Sequence, residues 1–293
     1  MRILYHKLKA LNFAVALMLI SPSFAVAADV AVTLPPLAGL ISMLDKEADV
    51  ICLLANGADP HHFQLTPRKI EATQQTGLLI RASRDDGGWP LPPHHKSTLD
   101  VWPDIDHGWL SPVAVREALP VIAKALTGLH PERHTEIAGE LEHALKITEI
   151  IEHEWMVTLE SAKKTGVLMQ HPSWRRLMQL MDIPVLGVLE SGHHGHEFGP
   201  RQLEQALRTL NEHSGAWLIA DEGHSNRALD WLQDHASAKL NRADLNALGT
   251  CLLSWPELMR QNLAQFSGGS VKPGGRQSGH LPGHEHEDHA EDH

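Results

Sequence analysis

Three histidines stand in separated segments whose composition suits a binding site. His61 lies in Gly57-Ala58-Asp59-Pro60-His61-His62-Phe63, His107 in Asp106-His107-Gly108-Trp109-Leu110-Ser111-Pro112, and His171 in Met169-Gln170-His171-Pro172-Ser173-Trp174. Neutral imidazole is the commonest metal-ligating side chain, and the chain carries 22 histidines against 25 lysines and arginines together. A cleft lined by three imidazoles suits zinc, which takes nitrogen donors at ~2.0–2.1 Å in a tetrahedral array. Manganese would be expected to draw more carboxylate oxygen. One histidine in a loop is weak evidence; three in such settings carry the argument together.

The elements that must bring them together follow from the alternation of short apolar runs with helical patterns, which signals βαβ units and mainly parallel sheets. In the first half, strands are expected at Val30 to Thr33, Val50 to Leu54 and Leu78 to Ala82, and helices at Leu37 to Leu44 and Pro67 to Thr76, the latter capped by Thr66 with Pro67 first. The second half repeats the rhythm. Its strands are Gly166 to Met169, Val185 to Leu189 and Trp217 to Ala220, and its helices are Trp174 to Met181, Pro200 to Glu212 and Arg227 to His235. Between them Ile137, Leu141, Leu145, Ile151, Trp155 and Leu159 mark a long linking helix over 131–162, with a break near Gly139 as the alternative. The expected architecture is α/β: an N-terminal lobe over 28–130 and a C-terminal lobe over 163–266, each a mainly parallel sheet flanked by helices, joined by that helix. In such sheets ligands bind beyond the carboxyl ends of the strands. His61 and His171 fall there, one in each lobe, so the metal site is expected in the interlobe cleft.

The two ends of the chain read differently. Residues 1–27 have a positive start (Arg2, Lys7, Lys9), an apolar core from Leu11 to Ile20 and Ala25-Val26-Ala27 as a cleavage site, the pattern of a secretory signal without a lipid-anchor cysteine. Cleavage would leave 22 basic against 36 acidic residues, exported to the periplasm. The acidic balance excludes a nucleic-acid partner, which needs a basic face. No apolar run reaches the ~20 residues of a spanning helix. Residues 267–293 carry no core-forming composition and are read as a disordered tail. Its histidines, His280, His284, His286, His289 and His293, are interleaved with carboxylates, as is expected of auxiliary metal capture. The cluster His193, His194 and His196 is assigned the same role. The two cysteines, Cys52 and Cys251, lie in mostly apolar stretches, which favours separate buried thiols, although an oxidising compartment permits a disulfide.

The segments around the three histidines resemble a family, the zinc-binding periplasmic components of ABC transporters (ZnuA-like, cluster A-I, or bacterial solute-binding protein 9). Gly57 to Pro67 is similar to its Gly-x-x-x-His-x-(Phe/Tyr)-x-Leu-x-Pro motif, Asp106 to Pro112 to its Asp-(Pro)-His-x-Trp-Leu-x-Pro motif, and Gln170-His171 to its strand-end histidine; the likeness runs from Ala31 to Phe266. It implies His61, His107 and His171 as metal ligands, zinc as the transported ion, and no enzymatic activity. It also implies an ABC permease with its ATPase as partners, with a periplasmic metallochaperone as a further candidate. The family's Asp-Pro-Leu-Gly motif, which supplies a carboxylate ligand, is replaced by Asn246-Ala247-Leu248-Gly249. Glu222 is then the leading fourth ligand, with Asp221 or water next.

The expected mechanism is capture and delivery, with affinity falling as pH drops through the imidazole protonation range near ~6.5. Asp106 is expected to orient the His107 ring, and the linking helix to limit lobe rotation. Two other readings stay open from the residues. One is a zinc buffer or chaperone without a transporter. The other is a three-histidine zinc hydrolase with Glu222 as base, against which no His-Glu-x-x-His segment occurs.

Overall fold

The computed structural model describes residues 28–91, 95–190 and 199–267. Residues 1–27, His94, the cluster at His193, His194 and His196, and the tail histidines lie outside the described residues.

The first sheet contains β1 (Val30–Val32), β2 (Val50–Cys52), β3 (Leu78–Ser83) and β4 (Thr98–Trp102), all parallel in the order β2-β1-β3-β4. Its helices are α1 (Pro35–Leu44), α2 (Pro67–Gln75) and α3 (Pro112–Leu129). Proline sits in the first turn of all three; Thr66 and Ser111 cap the second and third by accepting from the backbone N–H of Lys69 and Ala114. α4 (His134–Thr158) then crosses to the second lobe, where a single turn, α5 (Ala162–Thr165), leads into β5 (Val167–Met169). The second sheet repeats the first: β5, β6 (Val185–Val188), β7 (Trp217–Asp221) and β8 (Asn241–Leu245) are parallel in the order β6-β5-β7-β8. Its helices are α6 (Arg175–Leu180), α7 (Pro200–Glu212) and α8 (Arg227–His235), and α9 (Trp255–Ala264) ends the described chain.

The inner strands form as expected because strands covered on both faces need apolar residues at every position. β1, β5 and β7 are buried along their whole length. Two strands that no apolar run announces, β4 and β8, are edges. Their sequences, TLDVW and NRADL, carry Asp100, Arg242 and Asp244 on exposed or half-exposed positions, so one side of each faces water.

The joining helix is continuous past Gly139 and runs from His134 to Thr158, 25 residues or ~37 Å at 1.5 Å per residue. The expected start at Pro131 is a separate 3-10 turn, Pro131–Arg133. Ile137, Ala144, Thr148, Ile151 and Trp155 form its buried stripe. At its first-lobe end Glu140 pairs with Lys46 at 2.9 Å, and at its other end Trp155 stacks on Trp174 with ring centroids 5.5 Å apart.

The lobes are also joined by the returning chain. After β8 the backbone passes back beside α1, so closely that a Cβ on Gly39 would stand 2.7 Å from the Leu253 carbonyl oxygen. The expectation of two separate buried thiols is corrected here: Cys52 at the end of β2 and Cys251 in this returning segment form a disulfide, Cα atoms 6.1 Å apart. Both cysteines are half-buried at the junction rather than inside either core. What brings them together, 199 residues apart in sequence, is the return path after β8.

Candidate metal centre

Each sheet reverses its strand order beside its first strand, and the loops at the carboxyl ends of the two sheets face one another there. His61 reaches the cleft on a 3-10 turn, Pro60–His62, whose cap Asp59 accepts from the His61 backbone N–H at 2.8 Å. The neighbouring His62 is held instead by Asp59, ring nitrogen to carboxylate at 2.7 Å. His107 follows β4 in the left-handed region, φ 51°, a conformation uncommon for a residue with a side chain. The Asp85 carboxylate holds it there by accepting from the His107 N–H at 3.0 Å. His171 extends from the end of β5 and is 4% exposed.

These side chains converge. The His171 ring centroid lies 5.5 Å from that of His61 and 5.4 Å from that of His107, and all three line one cavity of about 30 Å³. That volume suits a single ion or one water, since a water's share of the liquid is ~30 Å³. Pockets for organic ligands run to ~300 Å³ and above.

The tautomer of His171 follows from its partners. The Ser173 hydroxyl donates to the Asp221 carboxylate at 2.5 Å, so toward the His171 Nδ1, 2.7 Å away, Ser173 can only accept. Nδ1 therefore carries the proton and Nε2 the lone pair. Burial pushes the Asp221 carboxyl up to about 6, and the Ser173 bond draws it partly back. Burial also raises Asp85 to about 7, against the pull of the His107 N–H. A cation in the cavity would favour the ionised form of both.

The other named residues stand in distinct places. Asp221 is buried and engaged by Ser173. Glu222 is exposed, lines the cavity and accepts from the Asn246 side-chain amide at 2.8 Å. The Asn246 oxygen is occupied by the N–H groups of Leu248 and Gly249. Asp106 is exposed, and the carboxylate beside the His107 ring is that of Asp85, 3.6 Å from Nδ1.

Four residues at the cleft went unread in the sequence: Asp85, Ser173, Glu190 and His224. His224 had the same signal that singled out His171, a histidine just beyond a strand's carboxyl end, and it follows Gly223, whose φ of +90° turns the chain back toward the cavity. Its ring stacks on His171 with centroids 4.2 Å apart and lies 6.3 Å from His61. Glu190 and Asp85 likewise follow β6 and β3.

Comparison with known proteins bears on this arrangement. A solved structure of ZnuA superposes with a TM-score of 0.68 at 18% identity, covering 83% of this chain and 100% of its own. The solute-binding protein FpvC of Pseudomonas aeruginosa, solved with Ni2+, gives 0.65 at 18% identity over 84% of this chain and 99% of its own. A Mn-bound periplasmic metal-binding protein from Candidatus Liberibacter asiaticus gives 0.66 at 15% identity over 81% and 97%. No curated protein matches in sequence. The family model for the zinc-uptake complex component A, periplasmic, matches residues 30–269, and the chain therefore belongs to the ZnuA family of periplasmic metal-binding components of ABC importers.

Proposed function

We propose that this protein captures zinc in the periplasm with His61, His107 and His171 and delivers it to an ABC permease powered by a cytoplasmic ATPase. The observation that carries this reading is the convergence of the two first-lobe rings on His171 of the second lobe around an ion-sized cavity. Three imidazoles favour zinc over manganese, which prefers a site richer in oxygen. Ser173 and Asp221 support the choice of His171 as a ligand, because a donor fixed through its other nitrogen has the lone pair already aimed.

Glu222 is the fourth ligand in this account, with water as the alternative. Asn246, at the position where the resemblance implies a carboxylate ligand, instead uses its amide to hold Glu222 against the cavity. His193, His194, His196 and the tail histidines act as a weak outer capture zone. The linking helix and the disulfide restrict lobe rotation, so release requires local movement of the His61 and His107 loops.

Competition of the full chain against a chromogenic zinc chelator tests the proposal. One tight equivalent is expected, lost in His171→Ala while weak binding persists. Trp109, whose ring centroid is 5.4 Å from that of His107, should report the tight phase as a change in fluorescence. A titration unaltered by His171→Ala would remove the assignment.

A further inference from the structure

His171, Glu190 and His224 form a second constellation. Each offers a donor atom within 4.8 Å of the others, and all three come from the carboxyl edge of the second sheet. Tetrahedral zinc with bonds of ~2.0–2.1 Å sets its donors roughly 3.3 Å apart, so the three need to close by at most about 1.5 Å. The parts are held for it. Gln170 donates to Glu190 Oε1 at 2.8 Å, while Glu190 Oε2 is turned to the His224 Nδ1 at 3.3 Å. The two rings lie nearly parallel, inclined by 22°.

His224 lines the inner cavity of about 30 Å³ and also an outer cleft of about 150 Å³ between the Gly57–Pro60 loop and the Asn246–Gly249 loop. It therefore borders both spaces, as do Pro60, Glu222 and Leu248. His61 and His107 belong to the first lobe, whereas nothing in the second trio does.

We propose that His171, Glu190 and His224 are a second coordination position for the divalent cation, used alternately with the interlobe trio because both need His171. This rests on the reading of the interlobe cleft as a zinc site. The second position keeps the ion on one lobe when the His61 and His107 loops move away, and passes it between cavity and outer cleft by exchange of ligands around a fixed His171. Ligands are exchanged without any covalent or redox change.

Zinc competition on the full chain separates the two positions. The forms compared are wild type, H61A/H107A, and that double variant with His224→Phe or with Glu190→Gln added. Phenylalanine keeps a ring against His171 and removes only the nitrogens; glutamine keeps an oxygen for Gln170. The double variant is expected to bind more weakly than wild type, and either third substitution to weaken it by about tenfold or more. Loop and tail histidines contribute equally to all four forms and cancel. A double variant indistinguishable from both triple variants overturns the second position and leaves the interlobe trio standing. A double variant as tight as wild type overturns the interlobe trio instead.

Discussion

The Trp109 indole N–H donates to the Ala247 carbonyl oxygen at 2.7 Å, across 138 residues of sequence and from one lobe to the other. Both residues line the inner cavity, and the Trp109 carbonyl in turn accepts from the Trp255 indole at 2.6 Å. The floor of the cleft is thus sewn by two buried indoles, and its width depends on them. Trp109→Phe would leave the Ala247 carbonyl without this donor, at a cost of ~1–3 kcal/mol. A melting temperature lowered by several degrees is expected, with zinc affinity reduced at the same time. Thermal melts with and without zinc check both.

Ser173 touches no metal in this account and acts through His171. Ser173→Ala frees the His171 ring to turn or change tautomer, so zinc affinity should fall by roughly 10–100-fold. Ser173→Thr, which keeps the hydroxyl, should restore most of it. Equal losses in the two variants would mean that packing, and not the hydrogen bond, matters.

Protons and a cation in the cavity act in opposite directions on two buried carboxyls. Asp85 is raised to about 7 and Asp221 to about 6. In the metal-free protein the folded state therefore holds more protons than the unfolded one between about pH 4 and 7, so these groups lose stability as pH rises through that window. Metal-free protein should melt higher at pH 5 than at pH 7.5. Asp85→Asn, which can still accept from the His107 N–H, should raise the pH 7.5 melt toward the pH 5 value and leave the latter nearly unchanged. Zinc should reverse the trend in the wild type, since the cation favours the ionised carboxylates and competes with protons for imidazole.

The Cys52–Cys251 disulfide closes a loop of 199 residues and fastens β2, which leads to His61, to the segment that follows Asn246. Reduction or Cys52→Ser/Cys251→Ser should cost ~2–4 kcal/mol, lowering the melting temperature by roughly 5–15 °C. Zinc should also leave faster, because the His61 loop loses its tether to the second lobe. Stopped-flow chelation of zinc from oxidised and reduced protein measures this directly.

What could be read from the residues divides along physical lines. Val30–Val32, Val167–Met169 and Trp217–Asp221 announce themselves because strands buried on both faces must be apolar throughout. Thr98–Trp102 and Asn241–Leu245 do not, since an edge strand tolerates Asp100 and Arg242. Histidines beyond strand ends were legible as positions, and three of them meet at one cavity. His224 carries the same signal, but the carboxylates of Asp221 and Glu222 beside it are the more obvious anionic donors. The disulfide had no local signature at all, because its partners meet through the chain's return from the second lobe to the first.

Crystals of zinc-loaded protein, measured on both sides of the zinc absorption edge, locate the bound ion outright. An anomalous peak is expected in the cavity beside His171 Nε2, within bonding distance of His61 and His107 in the interlobe position or of His224 and Glu190 in the second. A peak remote from His171, with these rings unliganded, would contradict it.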